Sequence, residues 1–359
     1  MPRPLLLLSC CLTLGTLSLV GGACTHTSSS EVRSTAALER PAVSLSGKTM
    51  GVDWHVTLAV VVATDGSDVA TALAAIQAAL DRVDGRMSTY QPDSEISRFK
   101  NAPAATDFVV SAETATVVQE ALRISALSEG AFDATVMPLV DLWGFGPAAV
   151  QAAAPSPAEI QAALAICGWQ KLHAGPTVLR KDVAGLSIDL SAIAKGYGVD
   201  AVCAALLENG YADFMVEVGG ELRTSGKSPK GTAWRIGIDA PRDLSNMGQE
   251  LQAVLELGSL AVATSGDYRN FRILDGKRFS HTIDPRTGSP VAHDLASVTV
   301  LAPNCMLADA LATTCMVLGA ADGLELIESI ADVECYMISR NGEKLVTLQS
   351  SGFPELHNE

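Results

Sequence analysis

Ser297-Val-Thr-Val-Leu-Ala302, then after a short break Met306-Leu-Ala-Asp-Ala-Leu-Ala-Thr-Thr-Cys-Met-Val-Leu318, put two different periods side by side. The first run is short, β-branched and bounded by Pro303-Asn304, which reads as a buried strand. The second holds no Gly or Pro until Gly319, so it reads as a helix with its stop. Beyond it, Val333–Ile338 and Leu345–Leu348 read as a closing hairpin. Working back toward the N-terminus, Phe214–Val218, Trp234–Ile238, Leu251–Leu257 and Phe279–Ile283 are further strand candidates, and Met50–Val62 is a strand or hairpin arm. Asp68–Val83, Ala112–Leu127, Ala158–Cys167 and Ala192–Asn209 have helical spacing, the last three closed by Gly130, Gly168 and Gly210. Phe145–Pro157 is Pro/Ala-rich and reads as a loop. Strands gather in the second half while helices run throughout, which predicts an α+β fold rather than a doubly wound parallel sheet. No linker is long enough to force a domain cut.

Composition agrees with a globular chain: 359 residues, 48% hydrophobic, 18% charged and 5% aromatic. That is too apolar for disorder and too charged for a polytopic membrane protein. A formal charge of −15 excludes a nucleic-acid partner, whose phosphates require a basic surface. It does not exclude small anions held by backbone N–H groups, a metal ion or one Lys.

The first two dozen residues stand apart. Arg3 precedes an apolar run from Leu5 to Val20 that ends in Gly21-Gly22-Ala23-Cys24, the pattern of an export signal over residues 1–23. Cys24 resembles the lipidated cysteine of a bacterial lipobox, although Gly21 stands where Leu is preferred. The Ser/Thr/Ala-rich residues 24–47 suit a flexible tether. The expectation is a periplasm-facing protein, lipid-anchored to a bacterial membrane, the inner one favoured. Cys10 and Cys11 fall within the signal. Cys167, Cys203, Cys305, Cys315 and Cys335 show no C-x-x-C or zinc spacing and read as buried apolar side chains.

Several common chemistries fail on spacing. Gly220-Glu-Leu-Arg-Thr-Ser-Gly226-Lys227-Ser228 has one residue too many between its glycines for a phosphate-cradling P-loop. Gly144-Phe-Gly146 lacks a third glycine and does not follow a strand. No histidine pair has metal-binding helical spacing, and no Gly-x-Ser-x-Gly elbow exists. Polar clusters remain. Asp309 and Thr313 stand four apart, on one helix face, and offer two oxygens to one hard cation. The ordinary reading, a capping Asp and a Thr bonded to the preceding turn, is the better one on spacing alone. Asp189 likewise reads as a helix cap with Lys195 exposed, and His281 as a surface histidine.

Order along the chain changes this. Met87-Ser-Thr-Tyr-Gln-Pro-Asp-Ser-Glu95, Gly130-Ala-Phe-Asp133, Leu142-Trp-Gly-Phe-Gly146 and Asp189-Leu-Ser-Ala-Ile-Ala-Lys-Gly-Tyr197 come first. Val216-Glu-Val-Gly-Gly-Glu221, Ala263-Thr-Ser-Gly-Asp-Tyr-Arg269, Ser280-His-Thr-Ile-Asp-Pro-Arg-Thr-Gly288 and Ala308-Asp-Ala-Leu-Ala-Thr313 follow. This series resembles the ApbE family, the FAD:protein FMN transferases once called thiamine-biosynthesis lipoproteins, over roughly Met50 to Gly352. The resemblance implies a single domain over 48–352 with tunnelling-fold-like mixed sheets and packed helices. It implies a Mg²⁺-dependent split of FAD, the FMN half passing to a Thr or Ser hydroxyl of a partner flavoprotein while AMP leaves. In those terms Asp309 and Thr313 supply side-chain oxygens to Mg²⁺ and Ala192 a backbone carbonyl. Met50, Tyr90, Ala131, Phe132, Asp133, Asp189, Lys195, His281 and Ile283 contact FAD. His281 is the base toward the incoming hydroxyl, with Asp284 orienting that segment or steadying the imidazolium. Val52 departs from the family, which often has Thr there. The implied acceptors are subunits of respiratory NADH:quinone or ferredoxin-type reductases, or a regulator of nitrous oxide respiration. An FAD pyrophosphatase and a non-catalytic FAD-binding lipoprotein are the alternatives.

Overall fold

The computed structural model describes residues 40–60, 66–147, 153–241, 251–267, 271–274, 276–342 and 344–357. Its largest sheet has eight strands: β1 (Ala42–Thr49), β2 (Val52–Ala59), β3 (Phe214–Val218), β4 (Glu221–Ser225), β5 (Ala261–Gly266), β6 (Leu295–Ala302), β7 (Glu334–Asn341) and β8 (Lys344–Gln349). They lie side by side in chain order, and every pairing is antiparallel. Three pairs of neighbours are joined by tight turns; of the longer connections, β2–β3 and β6–β7 carry the helices and β4–β5 and β5–β6 carry small hairpins among the described residues.

Five helices matter for the site: α1 (Gly66–Met87), α2 (Ala112–Leu127), α3 (Ala194–Glu208), α4 (Cys305–Leu318) and α5 (Ala320–Glu328). α1 packs on α3, α3 on α4, and α4 on β5 and β6. Period-2 alternation divides the strands between two cores. Ala261, Ala263, Val298, Val300, Cys335 and Met337 face the helices. Val262, Leu301, Tyr336 and Ile338 face the opposite way, under the hairpin Trp234–Asp239/Leu251–Leu257 and Phe353. A third cluster gathers Leu139, Trp143, Ala163, Cys167, Leu274 and Ile283, and Trp143 donates its indole N–H to the Gly288 carbonyl at 2.8 Å. The five cysteines from Cys167 on are buried and free. No described helix is long and apolar enough to cross a membrane.

The α+β expectation holds, and most elements fall within two residues of their expected limits. Two boundaries move. The tether expected over 24–47 ends earlier, because Ala42–Thr49 is β1. Its Ser and Lys residues face outward while Val43 and Leu45 pack against the core, so a polar composition concealed a half-buried strand. The domain also runs past Gly352, since Phe353 is buried and His357 bridges to Val254. The expected strand Phe279–Ile283 is split between the ends of two small hairpins, Lys277–Ser280 and Ile283–Asp284, with His281 at the break. The export signal, Cys24 and the start of the tether lie outside the described residues, as do Tyr268 and Arg269.

Candidate active site

The site is built where α4 meets α3. Asn304 caps α4 by accepting from Leu307 N at 2.9 Å, and Asp200 of α3 accepts from Cys305 N at 3.1 Å and Met306 N at 2.9 Å. Two orphan N–H groups of the first turn are thus taken by a neighbouring helix, which holds the two helices together. One turn on, Asp309 is 1% exposed, and its Oδ2 accepts from Gly196 N of α3 at 2.9 Å. Only glycine permits that approach: a Cβ at 196 would lie 2.2 Å from the Cys305 carbonyl oxygen.

Lys195 brings the charge. Its Nζ donates to Glu221 Oε1 at 2.8 Å and lies 3.4 Å from Asp309 Oδ1. Glu221 opens β4 directly after the Gly219-Gly220 turn and is 4% exposed; its Oε2 is buried with no hydrogen-bond partner. Burial pushes the Glu221 carboxyl up to about 7, against the pull of Lys195, and burial likewise raises Asp309. Burial pulls Lys195 downward, but Asp309 and Glu221 outweigh it and hold the ammonium above its ordinary value. Two carboxylates therefore share one cation that stays charged.

Beside this cluster lies an open cleft. Ala131, Phe132 and Asp133 wall it from the end of α2, Asp189 and Ala192 from the approach to α3, and Ile283 and Thr313 from the last third of the chain. Thr313 stands one turn beyond Asp309 on α4, and its hydroxyl is 3.3 Å from Ser265 Oγ on β5. Asp133 is committed to the frame: Oδ1 accepts from Thr135 N and Oγ1, each at 2.7 Å, and Oδ2 from Trp169 N at 2.9 Å. Asp189 Oδ1 accepts from Ser191 N at 2.8 Å, the short turn that delivers Ala192 and Lys195. Burial raises both aspartates.

The remaining expected residues surround this centre without lining the cleft. His281 meets Phe145 edge-on at 6.4 Å between ring centroids, two residues before Ile283. Asp284 holds Arg286 through two side-chain bonds of 3.0 Å and accepts from its backbone N at 2.9 Å, which fixes the turn after His281. Met50 sits in the two-residue β1–β2 turn at φ +47°, next to Gly51 at +76°, with its methyl against Gly198 of α3. Tyr90 is 70% exposed, with its backbone N–H on Ser88 Oγ. Val52, the departure from the family pattern, lies against Gly219.

Sequence reasoning missed Glu221 as a site residue. Its signal was an acidic side chain at an inward strand position straight after Gly-Gly, where an apolar residue belongs.

The fold is the one solved for flavin transferases. A structure of the flavin transferase ApbE from Vibrio cholerae superposes with a TM-score of 0.79 at 42% identity, covering 87% of this chain and 98% of that one. The apo Pseudomonas stutzeri flavinyl transferase ApbE gives 0.77 at 36%, covering 87% and 95%. An FAD:protein FMN transferase of Vibrio cholerae is 43% identical over 321 residues, 89% of this chain and 94% of that protein. One of Haemophilus influenzae is 41% identical over 326 residues, 89% and 92%. The ApbE family model matches residues 50–337, and the chain belongs to the ApbE family.

Proposed function

We propose that the protein is an FAD:protein FMN transferase that joins the FMN half of FAD through a phosphoester to a Thr or Ser hydroxyl of a flavoprotein, with AMP leaving. The observation that supports this reading is convergence: Ala131–Asp133, Asp189, Ala192, Ile283 and Thr313, from distant parts of the chain, wall one cleft beside a half-buried, charged Lys195. In the reaction the acceptor oxygen bonds to the FMN phosphorus. The anhydride P–O bond breaks with its electron pair on the AMP phosphate, and the hydroxyl proton goes to the His281 imidazole. Asp284 holds the turn that presents His281, and Lys195 offers its charge to a phosphate.

The donor set suits Mg²⁺, which prefers oxygens and takes one or two carboxylates with substrate phosphates. Among the described residues no group of three His, Cys, Asp or Glu could hold a metal, so the protein's share is a carboxylate, a hydroxyl and a carbonyl. Asp309, Thr313 and Ala192 would hold the ion. When bound, it supplies positive charge against the charge developing on the pyrophosphate.

The export pattern before Cys24 supports a lipid-anchored, periplasm-facing protein whose acceptor is a flavin-bearing subunit of a respiratory reductase or a nitrous oxide respiration regulator. The test mixes the chain from Thr25 onward with FAD, Mg²⁺ and such a subunit. The expected result is an FMN-sized mass gain on the subunit that disappears with a chelator. Free FMN and AMP without label would make the protein a pyrophosphatase, and FAD bound but intact would make it a carrier.

A further inference from the structure

Glu221 is costly where it stands. A neutral or apolar side chain at the start of β4 would bury more cheaply than a carboxylate with one oxygen bonded to Lys195 and the other, Oε2, to nothing. The charge itself must therefore have a use.

Geometry shows what that use is. Asp309 is pinned, because Gly196 N holds its Oδ2 and the close contact of Gly196 with α4 holds the backbone. Glu221 is pinned as well. It pairs with Val218 at the start of the β3–β4 ladder, and the turn before it is held by Gly220 N, which donates to Glu217 Oε1 at 2.6 Å. Between these fixed carboxylates only Lys195 has a long, rotatable stem. Its ammonium lies at 2.8 Å from Glu221 but 3.4 Å from Asp309, committed to the first and loosely placed on the second. Take the charge off Glu221, and among the described residues the remaining carboxylate partner of Lys195 is Asp309.

We propose that Glu221 is a positioning residue: it draws the Lys195 ammonium away from Asp309 and so leaves Asp309 Oδ1 available to a divalent cation. The proposal rests on the metal reading given above. With Glu221 ionised, the cluster of two carboxylates and one ammonium carries −1 before a cation arrives and +1 after. Without Glu221 the same cation would enter a neutral site.

The experiment uses Mn²⁺ as the probe, titrated into the purified chain with and without FAD, with free Mn²⁺ read by electron paramagnetic resonance. Glu221→Gln keeps the shape and removes the charge; it should weaken Mn²⁺ binding by about tenfold or more. Glu221→Asp keeps the charge but shortens the arm, and should weaken it less. Equal Mn²⁺ affinity in the wild type and in a Glu221→Gln chain with an unchanged circular dichroism spectrum would overturn the proposal. Should the Gln variant not fold, Glu221→Asp decides: a measurable loss supports the role, and unchanged affinity ends it. A wild-type chain that takes up no Mn²⁺ even with FAD would bring down the metal reading first, and this role of Glu221 with it.

Discussion

Two lysines are drawn into the interior of this protein, and they are treated in opposite ways. Lys195 stands between Glu221 and Asp309 beside the cleft, and its neighbours hold it charged. Lys181, 1% exposed at the end of the short strand Val178–Lys181, pairs with no carboxylate among the described residues. Its three N–H bonds go to the carbonyls of Phe99 at 3.0 Å, Lys100 at 2.8 Å and Leu186 at 2.9 Å, and the ammonium lies 5.0 Å from the Phe99 ring centroid. Burial alone lowers its pKa. An ammonium whose donors are all satisfied by backbone is a staple: it ties the C-terminal end of the helix Glu95–Lys100 to the loop that leads to Asp189. An ammonium divided between two carboxylates has a second configuration available, and that is what a working group needs. Lys195 is half-buried and Lys181 fully buried, but it is the partners that tell them apart.

The comparison breaks most visibly at Lys195. Lys195→Met should cut FMN transfer by roughly 10²–10³-fold, the scale of losing a charge aimed at a developing anion, in a protein that still folds. Transfer assayed by mass gain on the acceptor checks this, and undiminished transfer would make Lys195 another staple. Lys181→Met should show the mirror image. Three carbonyls lose their donor, for about 3 kcal/mol of stability in urea melts, while the folded fraction keeps its specific activity. Loss of activity at unchanged stability would reverse the two assignments.

Smaller effects sharpen the picture. Gly196→Ala forces a methyl against the Cys305 carbonyl and should cost about 1–3 kcal/mol, read from the urea midpoint, because α3 and α4 must separate. A stability equal to wild type would mean the helices are not held as tightly as the Asp309 bond requires. The smallest effect is one of pH. Glu221, raised from 4.5 to about 7, binds its proton more readily folded than unfolded. Its contribution is therefore fully present below pH 4.5 and is lost as pH climbs through 7. The stability difference between wild type and Glu221→Gln should drift against the wild type over that window, and a flat difference would show that Lys195 compensates Glu221 completely.

Much of this fold was legible in the chain. α2, β3 and the strand Leu251–Leu257 fall at their expected limits because their periodicity is long and their ends carry Ser, Gly or a clean polar break. β1 was hidden because its polar face carries Ser44, Ser46 and Lys48, so its strand character comes from pairing with β2 rather than from composition. At the site the balance is reversed. Spacing alone favoured a cap for Asp309 and exposure for Lys195; in the fold Asp309 instead accepts from Gly196 N of α3, and Lys195 turns inward to Glu221. Glu221 escaped because its meaning lies in Lys195, 26 residues away, and in a buried oxygen that only the folded chain displays. Local rules find elements, whereas a charge cluster is a property of the packing between them.

The chain-ordered sheet has a consequence for how the protein comes to be active. Strand neighbours are mostly near in sequence, but residues 60–213 intervene between β2 and β3, and closing so long a loop carries an entropic cost that grows slowly with its length. That same excursion holds Ala131–Asp133, Asp189 and Ala192, while Ile283 and Thr313 arrive only with the last third. On a ribosome, no N-terminal fragment short of α4 has every wall of this cleft, however much of its sheet has already paired. The cleft is therefore completed only once α4 is in place.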